Sequence, residues 1–128
     1  MTKFIIDTHV LIWHLTDADT LSKIAKKAIQ NIDNQIFISI VSLWEIAIKT
    51  NIGKLNLNYS LQDIITEVKN IGFEILPIEP QNLYILEQLE LHHRDPFDRL
   101  IIAQGISEDA IVITKDENFS LYPVQLLW

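Results

Sequence analysis

Lys3-Phe4-Ile5-Ile6-Asp7 is an apolar run that ends abruptly on an acid. Strands buried on both faces of a parallel sheet read as continuous apolar runs. Ligands of open α/β sheets collect beyond the carboxyl ends of those strands. Asp7 therefore stands where a site residue would stand, and the chain repeats the pattern. Ile36-Phe37-Ile38-Ser39 is followed by a short turn and Glu45, and Ile111-Val112-Ile113-Thr114 by Asp116. Asp95 and Asp98 open the helix-like segment Asp95-Pro96-Phe97-Asp98-Arg99-Leu100-Ile101-Ile102-Ala103. Acids from four distant parts of the chain would then meet at one edge of one sheet. Crowded carboxylates repel and raise one another's pKa, which is costly unless a cation sits among them. The pattern points to a divalent-metal site, and through it to phosphodiester chemistry.

Apolar runs alternate with stretches of helical period, the mark of a parallel sheet covered by helices. Lys3–Asp7, Gln35–Ser39, Phe73–Ile78, Ile111–Thr114 and Val124–Trp128 read as strands. Pro77 suits the third to a sheet edge, because proline cannot donate to a ladder. Val10–Leu15 reads as a short helix. Ser22 is placed to cap a helix through about Asn31, with Ile24, Ala25, Ala28, Ile29 and Ile32 on its apolar side. Ser42-Leu43-Trp44-Glu45 has the form of a capping box, opening a helix that Gly53 closes. Leu61–Ile71 reads as a helix stopped by Gly72. Pro80 begins a helix to about Leu91, and Pro96 another to about Gly105. Five short strands among helices predict a three-layer α/β domain.

At 128 residues the chain is expected to be a single domain, 1–128, with enough length for one packed core. No apolar run approaches the roughly 18 residues of a membrane span. The N-terminal stretch reaches Asp7 too soon for a signal peptide. The absence of cysteine excludes a disulfide framework, thiol chemistry and a cysteine-based zinc site. A cytoplasmic protein fits these features. The net charge of −7 argues mildly against a nucleic-acid-binding surface, since phosphate contacts need positive charge. Bound metal would offset part of that charge, and a basic protein partner would suit it.

Four segments together resemble the PIN-domain nucleases, and within them the VapC-type toxins of bacterial toxin–antitoxin pairs. They are Asp7-Thr8-His9-Val10-Leu11-Ile12-Trp13; Ser42-Leu43-Trp44-Glu45-Ile46-Ala47-Ile48-Lys49 with Gly53-Lys54-Leu55; His92-His93-Arg94-Asp95-Pro96-Phe97-Asp98-Arg99-Leu100-Ile101-Ile102-Ala103-Gln104; and Thr114-Lys115-Asp116. Any one alone is a weak signal, whereas four in order at domain-scale spacing are specific. The resemblance implies a parallel sheet in the order 3-2-1-4-5. It implies an endoribonuclease that hydrolyses RNA with water activated by Mg²⁺ or Mn²⁺, one or two ions per site. It also implies a cognate antitoxin that blocks the site, and a homodimer. Hydrolysis of this kind leaves 5′-phosphate and 3′-hydroxyl ends.

The acids carry different weights. An unpaired carboxylate beside a fully apolar strand is expensive, so metal ligation is the reading that Asp7 supports. Glu45 is the third-position partner of a Ser42 capping box, a site residue, or both, since a glutamate at a helix start still projects at the strand edge; the resemblance favours a metal ligand or an outer contact to the metal. Asp95 and Asp98 share a helix face. Asp95-Pro96 makes an N-cap followed by proline at the first helical position, so Asp95 reads as a cap with outer contact to the site. Asp98 aligns with the family's acid before an apolar helix. Asp116 alone would be an ordinary turn acid, and the resemblance makes it the fourth catalytic, metal-holding acid. Thr8, Ser42 and Thr114 are candidates to orient the carboxylates. Lys49 and Arg99 could meet phosphate or form helix-surface ion pairs. His92-His93 reads as a solvated pair or an RNA contact rather than as ligands. Trp13, Trp44 and Trp128 read as core or dimer contacts rather than base-stacking platforms.

Two other classes compete. A phosphoacceptor receiver domain is also α/β and acidic, but needs adjacent acids after its first strand, where this chain has Asp7-Thr8. A catalytically silent module of the same fold could bind RNA or protein, yet clustered negative charge gives a phosphate-binding module nothing.

Overall fold

The computed structural model describes residues 2–128; Met1, which belongs to the N-terminal stretch read above, lies outside them. Its centre is a parallel sheet of β1 (Lys3–Ile6), β2 (Gln35–Ser39), β3 (Glu74–Leu76), β4 (Ile111–Ile113) and β5 (Leu126–Leu127). The order is β3-β2-β1-β4-β5, and every pairing is parallel. This is the order that the resemblance implies, and it differs from the 2-1-3-4-5 order of receiver folds. Ile6 lies opposite both Ile38 and Ile113. The three central strands therefore end level, and the residues that follow them emerge side by side.

Alternation along each strand sends side chains to two cores. Phe4, Ile6, Ile36 and Ile38 face α1 (Thr8–Thr16), α2 (Lys23–Gln30) and α4 (Leu61–Asn70), where they meet Val10, Leu11, Ala25, Ile29, Ile64 and Val68. Ile5 and Val112 face the other side, with Val41 of α3 (Ile40–Asn51) and Leu100 to Ala103 of α6 (Pro96–Ser107). Ile85 and Leu86 of α5 (Pro80–Gln88) pack against that second core. The three layers are thus helices, sheet and helices. Among the described residues, no helix is long and apolar enough to cross a membrane.

Several expectations are corrected. The capping box at Ser42 and Glu45 does not form: α3 starts at Ile40, and its cap is Ser39, whose Oγ accepts from the Val41 N–H at 3.0 Å. The strand runs into the helix with no intervening loop, so the first serine reached takes the cap. A reciprocal box forms instead at Ser60 and Asp63 of α4. α1 starts at Thr8, two residues early, because Asp7 itself is the cap. β3 is shorter than 73–78; it does lie at the sheet edge, and the Pro77 carbonyl accepts from Gln104 Nε2 at 3.1 Å. α5 stops at Gln88 rather than Leu91. Ile24 and Ile32 are 57% and 95% exposed; Ile32 lies beyond the end of α2, in the turn to β2. Gly53 does follow α3, with φ of 75°, where a side chain would be strained.

Candidate active site

Asp7 leaves β1 and caps α1 at once. Its Oδ1 accepts from the Val10 N–H at 2.8 Å, and its Oδ2 from the Thr114 hydroxyl at 2.5 Å. Thr114 directly follows β4, so the level strand ends create this bond. Burial pushes the Asp7 carboxyl above the usual range. The bonds from Thr114 and Val10 and the nearby His9 pull it back, while Asp116 pushes it further up. The Thr114 hydroxyl also accepts from the Asp116 N–H at 3.0 Å, so one side chain orders two of the acids.

Glu45 projects from α3 and is buried. Its Oε2 accepts from Lys49 Nζ, one helical turn on, at 2.5 Å. Its Oε1 is buried with no hydrogen-bond partner. Ser42, on the same helix, accepts from the Thr8 hydroxyl at 2.9 Å and so ties the start of α1 to α3. Lys49 thus pairs with an acid of the cluster, and Asp95 and Asp98 also hold its ammonium above its ordinary pKa, after the larger effect of Glu45.

Asp95 caps α6 as expected: its Oδ1 accepts from the Phe97 and Asp98 N–H groups at 2.9 and 3.2 Å. Asp98 follows in the first turn of α6 and is half-buried. Burial first, then Asp95, push the Asp98 carboxyl up to about 7; Glu45 and Asp7 act in the same direction, and His93 opposes them. Asp116 opens a short 3-10 turn, with Oδ1 on the Asn118 N–H at 2.9 Å. Asp7 and Asp116 line one cavity. The structure therefore brings Asp7, Glu45, Asp98 and Asp116 to one edge of the sheet.

Sequence reasoning missed His93. The description of His92-His93 as a solvated pair holds for His92, which meets exposed Glu90 at 2.7 Å. It fails for His93, whose Nε2 lies 2.9 Å from Asp98 Oδ2 and 3.4 Å from Asp116 Oδ2. The approach is close but not aligned as a hydrogen bond, and Nε2 is buried without a partner. Donor atoms of His93, Asp98 and Asp116 all lie within 4.8 Å of one another. Arg99 and Tyr122 set this loop. Arg99 donates to the carbonyls of Leu89, Glu90 and His93 and to the Tyr122 hydroxyl. That hydroxyl accepts from the His92 and His93 N–H groups at 3.0 and 2.8 Å. Arg99, expected at phosphate or in a helix-surface ion pair, is instead a loop staple. Its place one residue after Asp98 was the available signal. Trp44 packs edge-on against Phe97, with 51% of its surface exposed, and Trp128 packs against Trp13. Trp13 also lines the cavity beside Asp7.

A buried carboxylate oxygen without a donor is costly, and Glu45 Oε1 is one. A cation among these acids would satisfy it. The donor set is rich in carboxylate oxygen, with one imidazole beside it, which suits Mg²⁺ or Mn²⁺.

Comparison with known proteins agrees with this architecture. Ribonuclease VapC22 of Mycobacterium tuberculosis (strain ATCC 25618 / H37Rv) is 28% identical over 122 residues, covering 92% of this chain and 90% of the relative. The structure of VapBC-1 from nontypeable Haemophilus influenzae superposes with a TM-score of 0.75 at 18% identity, over 98% of this chain and 97% of that one. VapBC-5 from Mycobacterium tuberculosis, a member of the VapBC family of toxin-antitoxin systems, gives 0.62 at 16% identity, over 99% and 97%. The family model described as the PIN domain matches residues 4–124, and the chain belongs to that family.

Proposed function

We propose that this protein is a Mg²⁺- or Mn²⁺-dependent endoribonuclease, acting through one PIN unit as the toxin of a toxin–antitoxin pair. The observation that carries this reading is the cluster of buried Asp7 and Glu45 with half-buried Asp98 and Asp116, and the orphaned Glu45 Oε1 within it. The name of the mycobacterial ribonuclease and the VapBC neighbours support the activity and an antitoxin partner. A cytoplasmic setting fits that partnership. Trp44 and Ile48 of α3, with Ile52 just past its end, offer an exposed apolar face for a homodimer.

Asp7, Glu45, Asp98 and Asp116 would hold the cation. When bound, it supplies a Lewis acid that stabilises charge on the phosphodiester and makes water more acidic. Thr114 keeps the Asp7 carboxylate in one orientation, and Lys49 neutralises one oxygen of Glu45. A carboxylate oxygen of the cluster accepts the proton of the attacking water. In-line attack at phosphorus expels the 3′-oxygen and leaves 5′-phosphate and 3′-hydroxyl ends. The 2′-hydroxyl takes no part.

The test is cleavage of a mixed-sequence single-stranded RNA in Mg²⁺, Mn²⁺ or EDTA, with end-group analysis. Cutting is expected to need the metal and to vanish in Asp7→Asn and Asp98→Asn. Asp95→Asn is expected to keep most activity, because asparagine caps a helix as well as aspartate does. Cyclic-phosphate ends, or cutting that survives EDTA, would overturn the mechanism.

A further inference from the structure

A cavity of about 370 Å³ opens beside Asp7 and Asp116 and is otherwise lined by His9, Trp13 and Lys115. The chemistry proposed for the acids uses none of these three side chains. His9 and Trp13 lie one turn apart on α1, so their rings meet on one face, with centroids 5.8 Å apart. Trp128, which follows β5, also packs against Trp13, with ring centroids 6.0 Å apart. Lys115, between Thr114 and Asp116, holds its Nζ 5.9 Å from the Trp13 ring centroid. Trp13 is half-buried, whereas His9 and Lys115 are exposed. The pocket therefore has a braced aromatic floor, an exposed cation beside it and two carboxylates as its wall.

A ribonuclease of net charge −7 must hold a polyanion against an edge where Asp7, Glu45, Asp98 and Asp116 gather. Stacking does this without opposing charge, since every base has a π-face. The lysine stem is flexible, so its ammonium can leave the ring for a phosphate when a base takes its place.

We propose that this cavity is a subsite for one unpaired nucleobase of the RNA strand, adjoining the scissile phosphate. The base stacks on Trp13, and Lys115 meets the neighbouring phosphate. This rests on the ribonuclease reading and deepens it with a base-binding subsite, which takes an unpaired base because a base held in a duplex cannot enter the pocket. Stacking also makes the subsite tolerant of base identity.

The test uses an oligoribonucleotide with a mapped cut site and abasic nucleotides placed one at a time around it. With the wild-type protein, one position beside the cut is expected to lower kcat/KM by roughly 10- to 100-fold. Trp13→Leu is expected to lose a similar factor on intact RNA and little more on that abasic RNA, while Trp13→Phe retains most activity. Lys115→Ala is expected to raise KM and flatten the salt dependence. Equal cleavage of every abasic RNA by the wild-type protein would overturn the subsite, whether or not the variants fold, and leave the ribonuclease reading intact. Additive losses in Trp13→Leu, or release of a bound partner protein with unchanged RNA cleavage, would also overturn it. Absence of metal-dependent cleavage on any RNA would instead remove the ribonuclease reading, and the subsite with it.

Discussion

His93 places an imidazole where the chain otherwise gathers carboxylates. Its Nδ1 accepts from the Asp95 N–H at 3.4 Å, and its Nε2 lies 2.9 Å from Asp98 Oδ2 and 3.4 Å from Asp116 Oδ2. An imidazole packed that closely against two acids that would share a cation limits where their carboxylates can sit, a role whose loss usually costs metal affinity 10- to 100-fold. His93→Ala is accordingly expected to weaken Mn²⁺ binding by roughly that factor, and His93→Gln, which keeps an N–H donor, by less. Titration calorimetry with Mn²⁺ measures both; unchanged affinity in His93→Ala would make the histidine a bystander. The position of Asp7 beyond an apolar strand was visible in the sequence because its signal is local. That of His93 was not, because its approach to Asp116 depends on a loop folded by Arg99 and Tyr122.

Elements owe their placement to close approaches that an apolar pattern does not reveal. Gly105 is such a point: a Cβ there would lie 2.8 Å from a γ-methyl of Val112 on β4 and 2.8 Å from one of Val124. Gly105→Ala gains about 1 kcal/mol of helix propensity. Overpacking against two β-branched side chains with few alternative rotamers costs about 1–3 kcal/mol. The expected outcome is a net loss, lowering Tm by up to several degrees, with Mn²⁺ affinity unchanged because the acids lie elsewhere on α6 and its neighbours. A thermal melt showing equal or higher Tm would mean that α6 is free to move off the sheet. The same reasoning explains which elements were legible. The five strands announced themselves as apolar runs, and Ser22 and Asp95 as caps. The start of α3 did not, because Ser39 and Ser42 are both competent caps and only the direct passage from β2 into the helix selects the first. Strand order came through the family resemblance, since periodicity carries no information on which runs pair.

At the scale of the molecule, the level ends of β1, β2 and β4 concentrate charge that the fold must then bear. The Asp98 carboxyl is pushed up to about 7 by burial and by Asp95, Glu45 and Asp7 together. An aspartate in the unfolded chain releases its proton near pH 4. Between about 4 and about 7 the folded chain therefore holds a proton at Asp98 that the unfolded chain has given up. The stability from that proton is full below the unfolded value and is lost as the pH rises through about 7. Asp7, also raised, adds to the loss in the same direction. Metal-free protein is thus expected to lose Tm between pH 5 and pH 8, relative to Asp98→Asn, whose amide does not titrate. Adding Mg²⁺ or Mn²⁺ at pH 8 is expected to restore Tm in the wild-type protein far more than in Asp98→Asn, because a cation binds only the folded cluster and replaces the lost proton. Parallel Tm curves for the two proteins across this range, with and without metal, would show that the acids do not meet closely enough to hold an ion.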